Sequence, residues 1–285
     1  MPSIADLRLA ASPLADPLCY PGEAIDANYL LLDPWVYDIA PLSGAVPGQW
    51  EIRVDGGPLA AAKPESAPVP HPERLDHALA LVGAPALRER RPVMAFGSNG
   101  APTQLLDKFV GMNGRHRVVP VMRGVVQGLA LSHSPHVSPP GYLPYVLVRS
   151  GPQTELRVFV LWLDSVQLRA LNRTEPNYRL EIIQGYPIVV ETGELIAEYH
   201  AYRGRWGALR WIGSVDCVSA DRQDRLFQKL SGTGWFVDLV GSGEPAGLVS
   251  RLAGDPQLRA AVRLELARRG LVTSDGLGVG QDVGA

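Results

Sequence analysis

Two short stretches carry residue types that can do chemistry together. The first is Phe96-Gly97-Ser98-Asn99-Gly100, which ends an apolar run at 93–96 and leads into a stretch opening at Pro102. Its glycines let the chain turn sharply, and successive backbone N–H groups ahead of a helix form an anion cradle. The second is Glu175, followed at three residues by Tyr178. A carboxylate at a fixed turn can act as a general acid/base. Alone, each has an ordinary structural reading: a strand-to-helix turn, and a solvated turn glutamate.

Other signatures narrow the chemistry. The sequence has no GxxxxGK[ST], no HExxH and no GxSxG, and Gly241-Ser242-Gly243 with Gly247 misses the dinucleotide fingerprint by one residue. His133 and His136 could reach one metal, but no nearby Cys, Asp or Glu completes a shell, so they read as a polar loop. No metal and no cofactor is expected. The stretch 202–211 interleaves Arg203, Arg205 and Arg210 with Tyr202, Trp206 and Trp211. That pattern suits single-stranded nucleic acid, or a β-hairpin whose arginines lie over exposed rings. A net charge of −2 favours the hairpin and argues against a nucleic-acid partner.

The positioning elements follow from periodicity. A helix is expected over 73–87, with Leu75, Ala78, Leu79 and Val82 on one face, and another from Pro102 through Leu105, Leu106 and Phe109. Strands are expected at 118–122, 125–131, 143–148 and 156–163. A short helix then starts near Asp164 or Ser165 and buries Leu168 and Leu171. Pro176 biases Glu175 away from helical angles, so that helix ends before it and the strand 178–183 follows. Further strands are expected at 188–190 and 196–202, and helices at 221–230 and 257–269. The stretch 273–285 reads as a frayed tail.

The chain's 285 residues, 46% apolar and 20% charged, suit a soluble globular protein. Its 30 glycines and 25 prolines forecast many loops. Only Lys63, Lys108 and Lys229 are lysines among 27 basic residues, a bias that reads as a GC-rich, bacterial codon usage. Cys19 and Cys217 make no disulfide framework or zinc site. The start of the chain lacks a secretory apolar run, and the longest uncharged stretch, 124–148, is broken by prolines, histidines and serines. A cytoplasmic protein with no membrane partner is expected. Mixed strands and helices without regular βαβ alternation point to an α+β fold, or a barrel with helices around it. Three segments are expected: a proline-rich extension over 1–90 with one helix, a central domain over 91–215, and a helical segment over 216–285 with a flexible tail. Oligomeric state is left open.

In this order the motifs resemble the γ-glutamylcyclotransferase-like family, over roughly residues 92–192. The family's Tyr-Gly-Ser-Asn loop corresponds to Phe96-Gly97-Ser98-Asn99, and its Tyr-Pro segment to Gly141-Tyr142-Leu143-Pro144. Its strand, helix and acidic turn correspond to the run from Val158 through Leu171 to Glu175-Pro176-Asn177-Tyr178. The resemblance implies a small mixed β-barrel with surrounding helices and a cavity faced by loop and glutamate. It implies that Gly97, Ser98 and Asn99 hold the substrate's α-carboxylate or developing oxyanion through backbone N–H groups. Glu175 would be the general acid/base, with Phe96, Tyr142 and Tyr178 at the substrate. The implied reaction turns a γ-glutamyl amide or amine conjugate into 5-oxoproline, without a covalent intermediate. Three positions differ from the family pattern. Phe96 removes a hydroxyl, Gly100 is expected to loosen the loop, and Pro176 stiffens the turn. The alternative is an inactive barrel serving as a small-molecule-binding or interaction module. A buried Glu175 facing the loop across an open pocket favours the enzyme.

Overall fold

The structure, a computed structural model, describes residues 13–22, 24–33, 35–53, 73–211, 214, 217, 219–278 and 281–282. The strands, in chain order, are β1 (Tyr29–Leu32), β2 (Trp35–Ala40), β3 (Glu51–Arg53), β4 (Glu73–Arg74), β5 (Arg91–Ala95), β6 (Val118–Gln127), β7 (Leu129–His133), β8 (Tyr145–Arg149), β9 (Glu155–Leu163), β10 (Tyr178–Ile183), β11 (Ile188–Val190), β12 (Leu195–Ile196), β13 (Tyr199–Gly204), β14 (Ala208–Leu209), β15 (Val272–Thr273) and β16 (Gln281–Asp282). Seven α-helices are present among the described residues: α1 (Leu75–Leu81), α2 (Pro102–Lys108), α3 (Ser165–Arg173), α4 (Gln223–Ser231), α5 (Gly234–Val240), α6 (Pro245–Gly254) and α7 (Pro256–Arg268). The fold is thus mixed α+β.

One 12-stranded sheet dominates, in the order β16-β10-β13-β5-β9-β6-β1-β2-β3-β4, with β11 joining the β6 edge and β12 joining β11. Its pairs are antiparallel except β13 with β5. The barrel expectation is corrected here: among the described residues the strand path stays open, with β16 at one end and β4 at the other. Part of the reason lies in residues 29–40. They supply two antiparallel strands, β1 and β2, and β1 pairs with β6 on one side and β2 on the other. The sheet therefore grows outward from β6 where a barrel would close.

Alternation along β1 shows how both faces are covered. Leu30 and Leu32 join Tyr37, Trp50 and Ile52 under Leu75 and Leu79 of α1. Tyr29 and Leu31 join Val93, Val121 and Leu161 under Leu105, Leu106 and Phe109, with Leu171 of α3 alongside. A separate apolar cluster, including Phe227, Phe236, Leu248 and Leu266, holds α4 to α7 together.

Several expected boundaries shift for local reasons. The strands expected at 118–122 and 125–131 are one strand to Gln127, a turn at Gly128 with φ +81°, and β7. The helix at the second expected site ends at Lys108, with Phe109 as its C-cap. The tail expectation is overturned for Thr273 to Gly278. Arg203 is almost fully buried, forks onto both carboxylate oxygens of Asp275 (2.8–2.9 Å), and donates to the carbonyls of Leu277 and Gly278. The exposed-hairpin reading of 202–211 also fails. Besides Arg203, Arg205 donates to the Pro176 carbonyl and Arg210 to the Gly270 carbonyl, while Ala208–Leu209 pairs with Val272–Thr273. The guanidiniums there bind protein acceptors. Trp206 instead carries Arg263 over its ring at 4.0 Å.

Candidate active site

The loop after β5 and the turn after α3 meet across a cavity of about 500 Å³. Strand β5 delivers Phe96 and Gly97 to the sheet's end, and Ser98–Gly100 forms a single 3-10 turn. Being first in that turn, Ser98 and Asn99 present N–H groups that the turn itself does not use. Gly97 and Gly100 are required by close approach. A Cβ on Gly97 would lie 2.7 Å from the Tyr20 hydroxyl, and one on Gly100 would lie 2.6 Å from the Phe159 ring. Gly100 therefore tightens the loop where it was expected to loosen it. Its carbonyl also accepts the Tyr29 hydroxyl at 2.8 Å.

On the other side, Asp164 starts α3 through a capping box. Its carboxylate accepts from the amides of Val166 and Gln167 at 2.8 Å, and Gln167 returns a bond to the Asp164 amide. The helix stops at Arg173, and Glu175 lies in the turn before β10, with its carbonyl accepting from the Tyr178 amide. All seven sequence-predicted residues line the one cavity: Phe96, Gly97, Ser98, Asn99, Tyr142, Glu175 and Tyr178.

Glu175 is mostly buried, its side chain 14% exposed. Its Oε1 accepts from Asn99 Nδ2 at 3.0 Å and from Lys108 Nζ at 2.6 Å. Lys108 Nζ also donates to Asn99 Oδ1 at 2.6 Å, closing a three-residue triangle on one carboxylate oxygen. No hydrogen bond reaches Oε2 from the described residues in this triangle. Lys108 is the last residue of α2, where a cation also complements the helix dipole.

The cavity wall is aromatic. Tyr20 stacks on Tyr142 with ring centroids 4.3 Å apart, and its hydroxyl accepts from the Tyr145 amide at 3.1 Å. Tyr178 spends its proton on the Tyr145 carbonyl at 2.9 Å, so its oxygen remains only as an acceptor. Burial, assisted by the charge of Glu175, pushes the Tyr142 phenol up to about 12. Burial likewise raises Tyr20 and Tyr178, with neighbouring tyrosines and Glu175 adding to it. The ring phenols therefore stay protonated at neutral pH. His136, against Tyr178, is held down at about 4 by burial and then by the Arg263 charge, so it is neutral there.

Behind the wall, Gln223 of α4 is fully buried and grips Leu143 at both its amide (3.0 Å) and carbonyl (2.9 Å). His133 accepts from the Asp221 amide at Nε2, so Nδ1 carries the proton to the same Leu143 carbonyl. His133 and His136 are thus separately engaged, and no group of His, Cys, Asp or Glu suited to a metal occurs among the described residues. Nor is any described helix long and apolar enough to cross a membrane.

Sequence reasoning missed Lys108, Tyr20 and Gln223. Lys108 carried a signal, as one of three lysines in an arginine-rich chain. Tyr20 and Gln223 lie outside any motif and carried none.

No family model and no curated protein matches this chain. Solved structures similar to it include a gamma-glutamyl cyclotransferase, at 12% identity over 62% of this chain and 99% of that one, with a TM-score of 0.35. An Arabidopsis thaliana protein known from a solution structure is 19% identical over 53% of this chain and 87% of its own, with a TM-score of 0.33. An uncharacterized Homo sapiens protein is 12% identical over 67% and 92%, with a TM-score of 0.32. At such TM-scores the likeness carries no functional weight, which rests on the pocket's own geometry.

Proposed function

We propose that this chain is a γ-glutamylcyclotransferase-like enzyme that converts a small γ-glutamyl amide or amine conjugate into 5-oxoproline. The observation carrying this reading is the Glu175 carboxylate, held by Asn99 of the Gly97–Asn99 loop inside a tyrosine-lined cavity of about 500 Å³. A cavity of that size suits a small molecule.

The chemistry needs little equipment. The substrate's α-amine attacks its own γ-carbonyl carbon, a C–N bond forms in the ring, and the old amide C–N bond breaks. Nucleophile and electrophile are already joined, so holding the near-attack shape supplies much of the acceleration. Glu175 takes a proton from the α-ammonium and returns it to the departing nitrogen, leaving the carboxylate as it began. The Ser98 and Asn99 amides are suited to the oxyanion of the tetrahedral intermediate. Phe96 and Tyr142 supply apolar wall, and the Tyr178 oxygen an acceptor.

The test is 5-oxoproline release, followed by mass spectrometry, from γ-glutamyl dipeptides, glutathione and γ-glutamyl amines, with Glu175→Gln beside the wild type. Release that falls by about 10²-fold or more in the variant is expected for loss of an acid/base group. Release unchanged by Glu175→Gln would remove Glu175 from the mechanism.

One observation favours a second reading. Lys108 already occupies Glu175 at 2.6 Å, as in a pocket that binds a ligand without turning it over. Binding of a γ-glutamyl compound without any 5-oxoproline would support that module.

A further inference from the structure

We infer that Lys108 reads the substrate's α-carboxylate, and that the Lys108–Glu175 pair is a resting contact which a zwitterionic amino-acid head group opens. The inference rests on the proposed role of Glu175 as partner of the α-ammonium.

Three features of the geometry point this way. First, Lys108 Nζ and Glu175 Oε1 are 2.6 Å apart in the cavity wall, with side chains only 16% and 14% exposed. Charges that far from solvent are costly to leave unpaired, so a ligand entering between them must offer both signs. An ammonium and a carboxylate on one α-carbon do so. The ammonium replaces Lys108 at Glu175, and the carboxylate replaces Glu175 at Lys108. No net charge is carried into the pocket. Second, Asn99 bridges both members, donating to Glu175 and accepting from Lys108. Its donor and acceptor can each stay engaged as the pair parts. Third, the ammonium of Lys108 is a compact charge on a flexible stem, free to swing between oxygens in a way a planar guanidinium is not.

A ligand lacking either charge gains nothing from opening the pair. The pocket should therefore reject an α-carboxamide and an Nα-acetyl derivative, whichever group departs from the γ-carbonyl carbon. Lys108 is in this sense a specificity-determining residue, and its removal should erase the preference for a carboxylate.

The experiment measures binding and needs no turnover. Nδ-acetyl-L-ornithine keeps the amino-acid head and a reversed side-chain amide, and lacks a γ-carbonyl to attack. Calorimetry would compare it with its α-carboxamide and its Nα-acetyl derivative, on the wild-type chain and on Lys108→Met. Wild type should prefer the zwitterion by about ten-fold or more, as expected for one charge-assisted contact. Lys108→Met should bring the zwitterion and carboxamide within about two-fold of each other. A second readout guards against misfolding of the variant. With three lysines in the chain, ε-13C-lysine spectra of wild type contain few signals, and titration should shift the Lys108 signal with the zwitterion alone.

Equal affinity of wild type for all three compounds, absence of binding by any, or an unmoved Lys108 signal would each overturn the assignment. Discrimination through Lys108 without 5-oxoproline from any substrate would leave the assignment standing and remove the cyclisation. Turnover with discrimination intact in Lys108→Met would do the reverse.

Discussion

The Gly97–Tyr20 contact makes a quantitative prediction about how the loop is held. An alanine Cβ at Gly97 would sit 2.7 Å from the Tyr20 hydroxyl oxygen but 3.6 Å from the carbon bearing it. The φ at Gly97 is −120°, open to L-residues, so the conflict is steric. Tyr20 cannot easily yield, being stacked on Tyr142 and bonded to the Tyr145 amide. Gly97→Ala should therefore cost about 1–3 kcal/mol, as overpacking does. Tyr20→Phe removes one hydrogen bond and should cost about 1 kcal/mol. In the double variant the offending oxygen is gone, and the remaining contact is an ordinary one. The two costs should then fall short of additivity by about 1 kcal/mol or more, measured by urea denaturation in a double-mutant cycle. Costs that sum to within about 0.5 kcal/mol would refute the view that Tyr20 roofs the loop.

Two further outcomes follow from buried partners. Gln223→Leu leaves the Leu143 amide without its acceptor and should cost about 1–3 kcal/mol, read as a lower denaturation midpoint; an unchanged midpoint would contradict the grip on Leu143. His136 is held at about 4 by burial, whereas an unfolded histidine titrates near about 6.5, so between these values the unfolded chain binds more protons. Its contribution is complete above about pH 7 and shrinks as pH falls, by about 2–3 kcal/mol on reaching pH 4.5. His136→Asn should lose correspondingly less stability than wild type between pH 7.5 and pH 4.5, and equal losses would sink the assignment.

Much of the site was legible because its signals are local. Pro176 dictated that α3 end before Glu175, and its start is expected near Asp164 or Ser165, the latter being where it begins; both are readings of neighbouring backbone. The apolar runs that became β9, β10 and β11 read directly as strands. What escaped depends on contacts between distant segments. The two strands in residues 29–40 could not be separated, because both faces of β1 are buried and its apolar run shows no alternation. Arg203 looked like a surface cation until Glu181 and Asp275, from two other segments, enclosed it. Gly100 read as slack, since nothing in sequence announces the Phe159 ring against it. Helices α5 and α6 escaped as well, lying among glycines and prolines that suggest loops.

Those distant contacts also explain why the pocket draws on the chain far outside residues 92–192. Tyr20 covers Gly97, Tyr29 holds the Gly100 carbonyl, and Gln223 fixes the backbone beside Tyr142. Each acts on a loop lacking the regular hydrogen bonding that fixes a strand, so each supplies rigidity the loop lacks. The acid/base role proposed for Glu175 requires its position to be set to within a fraction of an ångström. Glu175 sits in a turn, and its turn alone does not fix its side chain. In the resting site Asn99 and Lys108 do so, from the loop and from the end of α2, and Asn99 is the one that can stay on Glu175 once Lys108 turns to a ligand. The choice of lysine at that end is then physical. Its ammonium meets Asn99 Oδ1 and Glu175 Oε1, oxygens of two different side chains, as a point charge can. An arginine fork is shaped for two oxygens of one planar group. Arginine at 108 would draw toward both oxygens of Glu175, a bidentate pair harder to open than the single contact lysine makes on Oε1.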